Sequence, residues 1–588
     1  MRGAASQRLL LGLLPEALRA FWRLLVAPVR IVWRRNWLYR RVLKGPLADR
    51  IVFRPYDVLP RKLEDAESLL RGRFAFAGQI VEATGGSIFD KPPPSQGWAE
   101  ALHAFQWLPP LSAAGGDPAR TLATNLITQW LKRNARYSEP AWLPHIMARR
   151  LENLFAHNKL VLTNSDVMWR SRVFVGLREQ SRMLARIAGE SPQGLVRLEV
   201  ATAVVLSGVC LVRSERCIAV GLTLLNEEIA NQILPDGGHV SRSPSQLAHA
   251  YRLLTMVIDA LAAAGREIPK TLRSAHDRMA PMLRLFRHGD GRLALFNGGN
   301  ECDARMIQAL LARDEVRGMP FGHAPHSGYH RLGAGRTLVL MDCGPPPPLT
   351  YAAEAHAGCL SFELSVGPQR LVVNCGSASA AFPAWDDALC ATAAHSTLTL
   401  EDTSTGTILP HGWLRKLVGR RLIGSGFAVE SKQAEGADGR RIDASHREYE
   451  AQFGIRHERQ IVLYRQGQTI AGQDRLVPSR PGKRRGVEFG FSVRFHIHPD
   501  VRISSSPGGD LLLKLPDGSS WRFRAGGGQI SLEESVYLGD ETVRRAEQLV
   551  VTGVVTDEPV EIAWAFEEIG STGGLRASAQ VADEFGTR

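Results

Sequence analysis

The feature that most constrains this chain is a single change of hydrophobic period near residue 290. Upstream, apolar residues recur at three- and four-residue steps through segments such as 119–136, 141–157, 166–189, 194–212, 215–234, 243–265 and 270–289. Downstream, Gly becomes frequent and the long runs give way to short β-branched stretches: 336–344, 359–367, 369–376, 395–402, 458–466, 492–499, 510–516, 520–526 and 548–555. A chain that switches period once builds a helical unit and then a β unit, not a parallel α/β sheet. Its 588 residues also exceed what one hydrophobic core holds.

The predicted helices have similar lengths, and Pro, Gly, Asn or Asp marks their joints. Short loops between such helices stack them as antiparallel pairs, in a bundle or toroid. No short repeat supports a regular solenoid. The β half reads as an antiparallel sandwich. The expected organisation is a basic amphipathic segment at 1–50, a helical domain at 51–294, a connection at 295–325 with one short helix, a sandwich at 326–570 and a flexible tail at 571–588. Pro345–Pro348 form a rigid extended loop.

The formal net charge of +13 favours polyanionic partners without choosing among them. Arg is scattered rather than interleaved with aromatics and no nucleic-acid module occurs, so nucleic acid is not an expected partner. Seven Cys without a CxxC pair point to buried free thiols and a reducing compartment. Pro15, Glu16, Arg19, Arg23, Pro28 and Arg30 interrupt the apolar N-terminus, leaving no span of the ~20 apolar residues that crosses a bilayer. No small-residue cleavage site follows a clean apolar core, so a secretory signal is not expected. Residues 1–45 then either pack on their own domain or touch a membrane surface.

Three clusters carry residues suited to chemistry. In 235–254 a Gly-rich turn delivers His239 and Arg242 just before a helix opening at Ser243-Pro244, an arrangement suited to a carboxylate or sulfate or else a capped inter-helix turn. In 322–332, His323, His326, Tyr329 and His330 crowd eight residues in no zinc-ligand spacing, in what is otherwise a polar loop entering the first strand of the sandwich. Tyr329 is the best-placed phenol for an acid role. In 391–406, His395 opens a strand from whose edge it either projects towards a cleft or serves as a structural histidine. His446, His457, His496 and His498 leave a metal site open but fix no geometry.

The stretches ILPDGGHVSRSPS, HSGYHRL, EAHAGCLSFELSVGPQRLVVNCG and ATAAHSTLTLEDTSTG resemble the heparinase II/III-like family of polysaccharide lyases, over roughly residues 50–567. The resemblance implies a multidomain α+β chain: an incomplete (α/α) toroid followed by an antiparallel β-sandwich. It also implies β-elimination in a uronate-containing, glycosaminoglycan-like polysaccharide, with no cofactor for the chemistry and a structural divalent metal open in the sandwich. His395 matches the histidine of the family's AHNTL-like strand. The family's Tyr-His after the DGGH turn falls at Gln246-Leu247, and its Asn-His near Gly194–Arg197, so both pairs are replaced. Elimination needs the uronate carboxylate neutralised, a base and an acid. On this reading His395, His239 and Tyr329 are the catalytic candidates, with Arg242, Arg197 and Gln246 for substrate; Tyr251 and His249 are further stand-ins for the missing Tyr. The expected partner is an acidic polysaccharide cleaved by a lyase with an atypical site. The alternative is a non-catalytic glycan-binding protein serving envelope polysaccharide assembly. The family is typically periplasmic or envelope-associated, whereas these residues suit the cytoplasm or a membrane surface.

Overall fold

The computed structural model describes residues 2–570 apart from 47, 60–62, 84–85, 315–317, 379–381, 425–427, 480–486, 506–509 and 541. The expected tail at 571–588 lies outside the described residues.

Helices fill the first half. They are α1 (Arg2–Arg35), α2 (Trp37–Leu43), α3 (Leu63–Leu70), α4 (Gln96–His103), α5 (Leu108–Ala114), α6 (Gly116–Arg133), α7 (Pro144–Ala156), α8 (Asn158–Leu162), α9 (Val167–Ile187), α10 (Leu195–Cys210), α11 (Glu215–Gln232), α12 (Pro244–Ala263), α13 (Lys270–Leu285) and α14 (Ala304–Leu311). A hairpin of β1 (Arg73–Phe76) and β2 (Gln79–Glu82) interrupts them, which the helical reading of this region does not foresee. α10 is apolar on nearly every side because it runs through the centre, packed on α7, α11 and α12.

The second half is two antiparallel sheets. Strands β3 (His323–Ala324), β4 (Tyr329–Ala334), β5 (Thr337–Asp342), β6 (Phe362–Val366), β7 (Gln369–Val373) and β8 (Leu398–Leu400) come first. A short excursion holds α15 (Asp386–Cys390) before β8, and then β9 (Thr407–Ile408), α16 (Trp413–Val418) and β10 (Leu422–Ile423). There follow β11 (Val429–Glu435), β12 (Gly439–His446), β13 (Ile455–Tyr464), β14 (Thr469–Pro478), β15 (Phe489–Ile497), β16 (Arg502–Ser505), β17 (Leu511–Lys514), β18 (Ser520–Gly526), β19 (Gln529–Tyr537), β20 (Arg544–Val555) and β21 (Val560–Glu568). One sheet runs β11-β12-β13-β14-β21-β18-β17-β16. The other runs β19-β20-β15-β7-β6-β5-β4-β3, with β8 pairing β15. The alternation of β13, buried at every second residue, turns one face inward. Phe362 and Phe495 of one sheet meet Trp564 of the other at centroid distances of 5.2 and 4.9 Å, which sets the middle of the sandwich core. None of the seven Cys is in a disulfide, and all but Cys302 are buried.

Candidate functional site

The 235–239 turn binds the sandwich directly. The Asp236 carboxylate accepts from the backbone N–H groups of His326 and Ser327 and from Ser327 Oγ, at 2.9, 2.6 and 2.8 Å. Gly237 has φ +88°, and a Cβ there would overlap the Arg278 carbonyl, while one at Gly238 would overlap Ser327 Oγ. Gly237 therefore lets the turn pack on the backbone of α13, and Gly238 lets it seat against the 326–327 loop. Of the two readings the sequence left open here, an anion site or a capped inter-helix turn, the turn does join α11 to α12, and its Gly238 and Asp236 dock it on the β domain.

Arg242 extends the same joint. Its guanidinium is buried, lies 4.9 Å above the Tyr329 ring, donates to the carbonyls of Ser327, Gly344 and Pro345 and pairs with Asp342. Burial opposes its charge, but Asp342 outweighs that and raises its pKa, so it stays a cation. Its backbone sits in the left-handed region at φ 63°, a strain of about 1–2 kcal/mol that these bonds offset. The Tyr329 hydroxyl donates to the Arg242 carbonyl at 2.7 Å and accepts from Asn297 Nδ2 at 2.9 Å. Burial raises that phenol's pKa, so it stays protonated. Neither Arg242 nor Tyr329 presents a polar atom to a ligand: both serve the domain joint.

His239, Arg197 and Gln246 lie nearby, each with internal partners. The Ser241 backbone N–H points at His239 Nδ1, so Nδ1 accepts and Nε2–H donates to Gln232 Oε1 at 2.9 Å. Gln232 in turn donates to Glu228, which lies 3.6 Å from Arg197 Nη1, while Arg197 also donates twice to the Ser191 carbonyl. Arg197 and His239 are thus two ends of one internal chain. Burial lowers the His239 pKa to about 3. Gln246, on the first turn of α12, donates to Glu354 at 2.6 Å.

His395 follows a single turn at Thr392–Ala394 that leads into β8, and only 2% of it is exposed. Its Nδ1–H donates to the Ala391 carbonyl at 2.9 Å and its Nε2 faces His356 Nδ1 at 3.3 Å. Gly358 packs on the ring so closely that a Cβ would stand 2.7 Å from it. Burial lowers its pKa to about 4, so the ring is neutral. The expected projection towards a cleft is therefore not what the fold builds: Gly358 and His356 close on the ring. Among the described residues, no hydrogen bond, ion pair or ring contact joins His395 to His239, Arg242 or Tyr329.

Outside this joint lies α1. Its C-terminal half is tied to the helical domain by Arg30 and Arg34 on Glu190, at 3.0 and 2.5 Å. Its middle is tied to the sandwich, where Glu16 accepts from Thr350 Oγ1 at 2.6 Å and pairs with Arg421. Leu13 and Ala17 bury against Leu409, Val418 and Ile423. Beneath it remains a cavity of about 220 Å³ bordered by Arg19, Arg23, Gln193 and Thr350. The helix therefore roofs the line where the two domains meet.

A larger opening, of about 490 Å³, lies within the helical domain between the β1–β2 hairpin and helices α7, α10 and α12. Arg149 holds Glu199 through Nε and Nη2 at 3.1 and 3.2 Å, and His249 Nε2 lies 3.0 Å from the same carboxylate. Burial pushes the Glu199 carboxyl up, but His249 and Arg149 outweigh it and hold the pKa at about 2. Arg252 pairs with Glu152 at 2.5 Å beside them. Of these, sequence reasoning weighed only His249. The missing signal is a tertiary one, since α7, α10 and α12 converge from positions about 50 residues apart.

In the sandwich, His446, His457 and Asp474 form a buried chain with links of 3.2 and 2.7 Å. Arg459 supplies the positive charge beside Asp474, so this cluster does not call for a cation. Among the described residues, no group of three or more His, Cys, Asp or Glu is placed to hold a metal ion.

Comparison with known proteins agrees with this geometry. Residues 316–565 match the family described as heparinase II/III-like, C-terminal. The chain is 32% identical over 568 residues to FtsZ-localized protein C of Caulobacter vibrioides, covering 94% of this chain and 97% of that protein. Among solved structures, heparinase III superposes with a TM-score of 0.70 at 14% identity, covering 91% of this chain and 89% of that one. A heparan sulfate lyase mutant from Pedobacter heparinus gives 0.60 at 16% identity, covering 90% and 87%. These two likenesses establish the helical-plus-β fold.

Proposed function

Because the chain belongs to the heparinase II/III-like family, and because Arg242, Tyr329, His239 and Arg197 at and beside its domain joint are engaged in internal bonds, we propose that it is a non-catalytic, glycan-binding member working at a membrane surface. The observation that carries this reading is the fate of the elimination machinery. β-Elimination needs a neutraliser, a base and an acid that all touch the sugar. Here Gln246 stands at the Tyr position and is bound to Glu354, His395 is sealed and neutral, and His239 and Arg197 belong to one buried chain.

The membrane part of the proposal rests on α1 and α2. Residues 1–48 hold ten Arg and Lys and a single acid, Glu16, which faces inward to Arg421. The outer face exposes Leu18, Phe21, Trp22, Val29, Val32 and Trp33, and α2 adds Trp37. An apolar stripe flanked by arginines suits the headgroup level of an anionic bilayer, where each basic residue contributes about 1 kcal/mol. No described helix is long and apolar enough to cross a membrane. The name of the Caulobacter relative leads us to extend the proposal: this chain, too, localises with FtsZ.

The lyase reading, an eliminase for an acidic uronate polysaccharide, stands second. What favours it is His249, oriented by a carboxylate in the open pocket, an arrangement that can move protons. Two assays separate the readings. Incubation of the full chain with a panel of uronic-acid polymers is expected to give no unsaturated uronate absorbance, and cosedimentation with anionic vesicles is expected to succeed. Unsaturated product that disappears in His249→Gln would reverse the order.

A further inference from the structure

The opening of about 490 Å³ in the helical domain has a lining unlike that of a polyanion cleft. Its charged side chains are Arg73, Arg149 and Arg252 against Asp57, Asp65, Glu152 and Glu199, with His249 among them. Three cations against four carboxylates leave no positive field for a uronate or sulfate chain. The cations are also committed: Arg149 to Glu199, Arg252 to Glu152 and Arg73 to Glu82.

What the pocket does offer is a set of fixed, planar hydrogen-bonding groups beside an apolar wall. Arg149 spends Nε and Nη2 on Glu199, and its Nη1 edge makes no hydrogen bond to the described residues. Of the two contacts at His249 Nε2, Glu199 at 3.0 Å is shorter than Arg252 at 3.4 Å, so Nε2–H donates to the carboxylate and Nδ1 takes part in neither contact. Roughly a third of the His249 side chain and two-fifths of Arg149 remain exposed, so both are reachable. Gln106 and Asn153 add amides, and Phe76, Pro109 and Pro110 supply the apolar side. Paired donors and acceptors at fixed spacing match vicinal hydroxyls, and the apolar side matches the C–H face of a pyranose. The volume of about 490 Å³ lies within the range of small-ligand sites.

The geometry points to this pocket as the binding site for one or two sugar units without net negative charge, such as neutral or N-acetylated hexoses. The assignment rests on the glycan-binding reading above and replaces its acidic polymer with an uncharged saccharide at a defined place.

The test is calorimetric titration of the full-length protein with tri-N-acetylchitotriose, cellotriose and trigalacturonate. Glu199→Gln removes the clamp that orients Arg149 and His249. Ser68→Trp, at the pocket edge on α3, fills the space without touching the clamp, so a folding defect in the first variant leaves the second informative. At least one uncharged trisaccharide is expected to bind, about tenfold or more tighter than trigalacturonate, with a loss of about tenfold in each variant. Tighter binding of trigalacturonate, or binding that Ser68→Trp leaves intact, overturns the pocket assignment while the glycan-binding reading survives. Absence of binding by all three sugars overturns both.

Discussion

Replacing His239 with glutamine removes a buried imidazole that the folded protein can hold only in its neutral form. In the unfolded chain a histidine titrates near ~6.5. In the fold, burial lowers His239 to about 3. A depressed histidine leaves stability intact above the unfolded value, and stability falls with acidification because only the unfolded state takes up the proton. The loss runs from about pH 6.5 down to about 3, where the folded form also protonates. At about pH 5 the linkage is worth about 2 kcal/mol for His239, against almost nothing at about pH 7.5. His395, lowered to about 4, contributes a similar amount over a slightly shorter window. Urea denaturation followed by tryptophan fluorescence at the two pH values measures this directly. His239→Gln is expected to be less stable than the parent near neutrality, because it loses part of the Ser241–Gln232 bridge. That deficit should shrink by about 2 kcal/mol at about pH 5. A deficit that stays constant between the two pH values, or an NMR titration placing His239 near its ordinary value, would refute the reasoning.

Three other outcomes follow from the joint and its roof. Asp342→Ala leaves the Arg242 cation buried without its carboxylate and should cost about 3–5 kcal/mol, read as faster proteolysis between the helical and β halves. Trp22→Glu on the outer face of α1 should weaken vesicle binding and leave the thermal transition unmoved, since Trp22 is 63% exposed; an unchanged vesicle affinity would remove α1 from the membrane contact. Gln246→Tyr restores a phenol at the family position and should still release no unsaturated uronate, because His395 remains sealed; any product absorbance would return the chain to the lyases.

The local patterns in the sequence reach only certain elements. Helices α6, α7, α9, α10, α11, α12 and α13 each announce themselves by period and by joint residues. Strands β11, β12, β14, β19 and β21 do not. β11 (VESKQAE) and β19 (QISLEESVY) are largely polar and have no residue fully enclosed along most of their length. Such strands exist because a neighbour offers its backbone, which no local pattern records. The β1–β2 hairpin escapes for a similar reason, as four-residue strands are shorter than the window that detects period.

The site divides along the same line. The sequence by itself determined the order of the helical and β parts, the family and the places where candidate residues stand, because period and motif are written in neighbouring residues. Only the tertiary structure decided what those places do. Gly237 and Gly238 suit an anion site or a capped turn by type, yet the α13 backbone at Arg278 fills the space beside Gly237 and Ser327 fills that beside Gly238. Arg242 is a free cation in the sequence and a buried strut in the fold, because Asp342 lies 100 residues further along the chain. His395 matches a reactive histidine by motif, and its burial beside Gly358 and His356 leaves it neutral. Charge state and access depend on which distant groups share a volume, and only folding brings those groups together.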